Sequence, residues 1–283
     1  GQDIDFCLFY NNRNIRRKMT SDSIMAFKEF AYSLPKEKRD LVEIIYASVR
    51  YPDEIVDTFD MSNVKKNQLL DSWKEQFIAS KTFSSITQSV DSGIPTIISC
   101  YRKAAIEKSI PDEYYISFIE AMRKDIEISE YKKMEDLIDD YVYGSAIVVG
   151  YFLAYIYGPE EGYSVEDLLT PSKDLGIALQ LTNFARDVYE DYFRGRFYAP
   201  TELLRKPYST DELENYVLNA RKILANEAEK CYSKAESGMN YIASDSQIAL
   251  KTSLEFSPFS ELKKPLLTTP FIICLLYTSP SPR

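Results

Sequence analysis

An all-α bundle is what this sequence predicts. Apolar residues recur at helical spacing along much of the chain, strand-type alternation is nearly absent, and only 9 of 283 residues are glycine, too few for a fold rich in hairpin turns. No Gly/Ser-rich or Pro-rich linker divides the chain, and 45% hydrophobic residues suffice for a large core, so one domain is expected over residues 1–273. The last ten residues, CLLYTSPSPR from Cys274 to Arg283, resemble the translation of a sequencing-library adapter. They are expected to be non-native and to follow a C-terminally truncated domain.

The elements follow in order. From Lys36 to Val49 the residues Leu41, Ile44, Ile45 and Val49 keep helical spacing, with Ser33 and Pro35 placed as cap and first turn. Pro111, Asp112 and Glu113 open a second helix, whose stripe is Tyr115, Phe118, Ile119 and Met122. Tyr141 to Tyr157 is apolar enough to be a central buried helix, and Gly158-Pro159 ends it. Leu175 to Tyr192 repeats the pattern through Leu179, Thr182, Phe184, Val188 and Tyr189, and Asp211 to Ser237 reads as a long charged amphipathic helix. The longest apolar stretch is read at residues 266–277, short of the roughly 20 residues that span a bilayer.

Composition excludes several chemistries. A net charge of −9 argues against nucleic acid as a partner, because phosphate binding needs clustered Lys and Arg. The chain contains no His, which removes His-based triads, His general bases and His-ligated zinc. Cys7, Cys100, Cys231 and Cys274 lack metal-ligand spacing, which fits a reducing cytoplasmic setting.

Two acidic patterns remain. In DEIVD, Asp53 and Asp57 are four apart and project from one helix face; in NFARDVYED, Asn183, Asp187 and Asp191 take the same step over two turns. Like charges at that spacing repel by a few tenths of a kcal/mol unless a cation lies between them. Such pairs are common on solvated faces of acidic proteins, and that reading stays open on spacing alone. Against it, Ile55 and Val56 flank the first pair and Phe184 and Val188 the second, so both patterns border a core, where carboxylates need a partner. All five side chains offer hard oxygens, which Mg²⁺ takes together with substrate phosphates.

The segments LPKEKRDLVEIIYASVRYPDEIVD from Leu34, YVYGSAIVVG from Tyr141, LGIALQLTNFARDVYED from Leu175 and RGRFYAP from Arg194 resemble, in order, the signatures of the squalene and phytoene synthase family. The resemblance runs from about Ser33 to Pro200 and is nearest the bacterial-type phytoene synthases. It implies the isoprenoid synthase helical bundle with a central cavity. It further implies Mg²⁺, with Mn²⁺ as a substitute, held by Asp53 and Asp57 on one wall and by Asn183, Asp187 and Asp191 on the other. The four aspartates would be catalytic through the metal. Arg50 and Arg196 would grip diphosphate, and Tyr46, Tyr143, Gln180 and Asn183 would border the substrate.

The implied reaction is the head-to-head condensation of two prenyl diphosphates, most closely two geranylgeranyl diphosphates giving phytoene. Diphosphate departs, the allylic cation is attacked by the second substrate's double bond, and a cyclopropyl diphosphate then ionises and rearranges. The alternatives are a farnesyl diphosphate enzyme making squalene, dehydrosqualene or presqualene diphosphate, and a non-catalytic relative. A head-to-tail elongator would carry DDxxD motifs, which are absent. Lipidic substrates without a spanning helix suggest peripheral membrane contact.

Departures from the family pattern carry expectations of their own. Pro52 predicts a kink that displaces Asp53. Ile147 and Tyr189 stand where many relatives have Gly, which predicts a reshaped cavity. Thr20, Ser21, Asp22 and Ser23 match the family's N-terminal Ser-rich element loosely, and its last helices are expected to be missing.

Overall fold

The computed structural model describes residues 33–250 except 58–60, 129, 208 and 248–249, and it describes residues 57, 210 and 211 without their side chains. Residues 20–23, 266–277 and 274–283, and with them Cys7 and Cys274, lie outside the described residues.

Among the described residues the main helices are α1 (Lys36–Asp57), α2 (Asn63–Ser80), α3 (Ile86–Asp91), α4 (Thr96–Lys108), α5 (Asp112–Glu127), α6 (Met134–Tyr157), α7 (Val165–Phe193) and α8 (Thr210–Glu236), with short 3-10 turns at Thr201–Leu203 and Met239–Tyr241. Extended pairing among them is confined to two isolated bridges, Glu130 with Phe197 and Pro159 with Ile242. The all-α expectation holds.

Helix α6 is the centre. Val142, Ile147, Val148 and Phe152 on it are fully buried, and it packs against both α5 and α7. Its middle, Ile138–Ile147, is wound as a π-helix, a form that tends to occur at functional sites. Contact with α5 is close at Gly144, where a methyl group would fall 2.4 Å from the Ser117 carbonyl oxygen and 2.5 Å from the Ala121 methyl. Only glycine fits there. By length and composition α6 is apolar enough to cross a membrane, at mean hydropathy 1.3, but 61% of that window is buried within the bundle. It exceeds the stretch at 266–277 that the sequence reading singled out. The helix ends where Gly158 turns to φ 71°, and Lys38 of α1 donates to the Tyr157 carbonyl at 2.6 Å, supplying a partner for one carbonyl that the helix end leaves over.

Helix α1 continues through Pro52 to Asp57, so the proline does not end it, and Asp53 lies on the same helix as Arg50. One sequence boundary is corrected here. Helix α7 begins at Val165 rather than Leu175, because Ser164 and Asp167 form a reciprocal capping box and Pro171 is accommodated six positions into the helix. On α7, Tyr189 does not join the buried stripe: it is 52% exposed and meets Phe193 edge to face. Ile147 is fully buried.

Candidate active site

Helices α1 and α7 both pack on α6, which places the two acidic faces on walls that share one central helix. The first wall is built around Arg50. Its side chain is 3% exposed, Nη1 donates to Asp53 Oδ2 at 2.7 Å, and Nη2 donates to Glu54. The i+3 and i+4 spacing lets one guanidinium meet both carboxylates, and this explains how two acidic side chains can be buried beside Ile55 and Val56. Removing the guanidinium would take this ion pairing from two buried carboxylates, a strongly destabilising change. Tyr46 is buried one turn before Arg50. Asp57 ends the helix, with its side chain outside the described set.

On α7, Gln180, Asn183, Asp187 and Asp191 follow at steps of three, four and four and so form one stripe. Gln180 is fully buried and neither its amide nitrogen nor its amide oxygen has a hydrogen-bond partner. Asn183 is buried one turn further on. Asp187 is held by its neighbour Arg186, whose Nε donates to Oδ1 at 2.6 Å and whose Nη2 donates to Oδ2. Behind this stretch Arg221 of α8 donates to the Ala185 carbonyl at 2.9 Å and fixes the helix from its far side.

Asp191 carries the strongest electrostatic signal. Phe184, Val188, Phe197 and Tyr198 surround it with apolar surface, and Phe184 and Tyr198 stack at 4.2 Å and 9°. Burial, then the negative charge of Asp187, push its carboxyl up to about 7; Arg194 and Arg196 pull it down, and Asp125 adds to the rise. Burial is thus the main reason the charged form of Asp191 is disfavoured, and the carboxylate one turn away adds to it. Two carboxylates and the Asn183 amide on one stripe offer hard oxygens of the kind Mg²⁺ takes. Among the described residues no three His, Cys, Asp or Glu side chains come together as a metal-binding group.

Arg196 follows α7 in the RGRFYAP strip. It meets Asp125 of α5 at 3.2 Å, and Tyr198 donates to the same carboxylate at 2.7 Å. Its side chain is 29% exposed, far more open than that of Arg50. Tyr143 is set apart from these groups. It is 36% exposed and lies near Glu113, Tyr114 and Tyr151, whereas its neighbour Tyr141 turns inward and stacks on Tyr198 and Phe184.

Sequence reasoning missed Glu54, Asp125 and Arg186. Glu54 and Arg186 stand inside the motifs. Asp125 had a signal: the apolar stripe Tyr115, Phe118, Met122 continues onto it, and a carboxylate on a buried stripe needs a partner.

The family model described as squalene/phytoene synthase matches residues 28–256. A 15-cis-phytoene synthase from Pantoea ananas is 23% identical over 252 residues, 86% of this chain and 80% of its own length. The presqualene diphosphate synthase of Zymomonas mobilis is 28% identical over 211 residues, 72% of this chain and 67% of its own. The crystal structure of a squalene synthase from Alicyclobacillus acidocaldarius shares the fold, with a TM-score of 0.66 at 21% identity over 84% of this chain and 86% of that one. Because the matched span contains both acidic helices and the α5–α6 pair between them, the chain belongs to the squalene/phytoene synthase family, whose enzymes join prenyl diphosphates head to head.

Proposed function

We propose that the protein condenses two molecules of geranylgeranyl diphosphate to phytoene through a cyclopropyl diphosphate, with Mg²⁺ bound between the walls that carry Asp53 and Asp57 and Asn183, Asp187 and Asp191. The observation that carries this reading is the stripe of Gln180, Asn183, Asp187 and Asp191 on α7, where two carboxylates one turn apart border a stack of aromatic rings and burial raises the Asp191 carboxyl. Bound Mg²⁺ supplies charge neutralisation for the departing diphosphate. The side chains do the rest. Arg196, the more exposed guanidinium, meets the diphosphate first, while Arg50 keeps Asp53 and Glu54 in place. Tyr141, Phe184 and Tyr198 exclude water and present ring faces on which an allylic cation is steadied. Gln180, buried with an unpartnered amide, orients the substrate near its reacting end.

Farnesyl diphosphate is the second reading, favoured by the comparable identity to a presqualene diphosphate synthase. Incubation with each labelled diphosphate in Mg²⁺ buffer, with and without NADPH, separates them by product. Phytoene from the C20 substrate is expected, independent of NADPH. A C30 hydrocarbon or presqualene diphosphate from the C15 substrate alone would replace the first reading with the second, and no diphosphate release from either would leave a non-catalytic relative. Because substrates and product are lipidic, peripheral membrane contact in the cytoplasm is part of the proposal, and liposome flotation tests it.

A further inference from the structure

The first acidic turn contains a defect that the rest of the molecule repairs. Pro52 has no N–H, so it cannot donate to the carbonyl four residues earlier, which belongs to Ser48. That carbonyl lies in the buried part of α1, where an unsatisfied acceptor is costly. The hydroxyl of Tyr115 on α5 donates to the Ser48 oxygen at 2.8 Å, and the same hydroxyl accepts from Trp73 Nε1 of α2 at 3.0 Å. The phenol is thus used as donor and acceptor at once. Its ring is fully buried, stacked on Tyr101 of α4 at 4.1 Å and set edge-on to Phe77 of α2 at 4.8 Å, so its position is fixed by packing from both helices. Burial also raises its pKa, and the hydroxyl keeps its proton over the whole working pH range.

We propose that Tyr115 is a positioning residue for the first acidic wall: its hydroxyl substitutes for the missing Pro52 N–H at the Ser48 carbonyl and keeps the turn bearing Asp53 and Glu54 in helical register. The turn that follows Ser48 holds Arg50, Asp53 and Glu54, whose ion pairs depend on their i+3 and i+4 spacing. A kink at Pro52 would break that spacing and move Asp53 away from the opposite wall. The three-helix clamp Ser48–Tyr115–Trp73 prevents it. The link to metal binding rests on the reading given under Proposed function, whereas the register of the turn can be measured without any turnover.

The test is a double-mutant cycle on the full chain with Tyr115→Phe, Pro52→Ala and the pair. Pro52→Ala restores an N–H to the Ser48 carbonyl, and the loss of the Trp73 acceptor is common to both backgrounds and cancels. Amide hydrogen exchange is read over residues 50–57, together with the Mg²⁺ concentration for half-maximal activity. Tyr115→Phe is expected to lower protection of that segment about tenfold in the parent background and to raise the Mg²⁺ requirement severalfold with less effect on the limiting rate. In the Pro52→Ala background both effects should largely vanish. Equal loss of protection in the two backgrounds would overturn the proposal. Rescued protection with an unchanged Mg²⁺ requirement would overturn its positioning part and leave a structural cap. If the parent protein releases no diphosphate at all, the functional reading fails while the exchange cycle still decides the register.

Discussion

Asp191 lies one turn from Asp187 against Phe184, Val188 and Tyr198, and its carboxyl is pushed up from the ordinary 3.8 to about 7. Between those values the metal-free folded protein binds more protons at this site than the unfolded chain does. Its stability should therefore fall as pH rises from about 4 to about 7, and the cost is complete above that range. The charges that face it are Asp187, Asp125, Arg194 and Arg196. Thermal melts in EDTA across pH 4.5–7.5 should show the decline in the parent and a flatter profile in Asp191→Asn, with a difference of the order of a few kcal/mol. A parent profile that rises through this range would contradict the burial of this carboxylate. The residue was legible in the sequence through its four-residue step. Its perturbation was not, because Asp125 and the Phe197–Tyr198 strip reach it only after α5 and the chain beyond α7 have folded together.

At the scale of elements, legibility followed local chemistry. The start of α5 was marked by Pro111 and the end of α6 by Gly158, and the structure places both where the sequence did. Helices α2, α3 and α4 were not read: α2 buries only Leu70, Trp73, Phe77 and Ser80 among many charged residues, and such a sparse stripe is visible mainly once its neighbours are known. Pro52 and Pro171 both lie inside helices that continue through them. Each lacks an N–H, but Pro52 is served by Tyr115 from another helix, and the Pro171 ring packs against Gly238 so closely that a methyl there would lie 2.3 Å from Pro171 Cβ. The π-wound middle of α6 has no sequence mark that periodicity detects. Its contact with α5 nevertheless gives a sharp expectation. Gly144→Ala drives a methyl into the Ser117 carbonyl and the Ala121 side chain, and overpacking there should cost about 1–3 kcal/mol in a denaturant or thermal melt. Because α6 lies between the acidic walls, activity should fall with stability. A neutral Gly144→Ala would mean that α5 and α6 are less closely packed than described.

Across the whole molecule, a helix pair rather than a loop scaffold sets the distance between the acidic walls. Helix α5 reaches both: Tyr115 meets α1 at Ser48, and ten residues on, about 15 Å along the helix, Asp125 meets Arg196 and Tyr198 beside α7. The sequence could announce two acidic faces and their order, and the family resemblance could pair them across a bundle. It could not announce that one guanidinium, Arg50, bridges Asp53 and Glu54 on the first face, or that on the second the Asp191 carboxyl is raised by burial and by Asp187. A cation at the second wall would stabilise the charged form of a carboxyl that burial disfavours. The most direct test is release of diphosphate from labelled geranylgeranyl and farnesyl diphosphates by the parent protein, Asp187→Ala and Asp57→Ala, each in Mg²⁺ and in EDTA. The account predicts Mg²⁺-dependent release by the parent, replaceable by Mn²⁺, and a loss of about a hundredfold or more in each variant. Full turnover in EDTA, or variants as active as the parent, would contradict it.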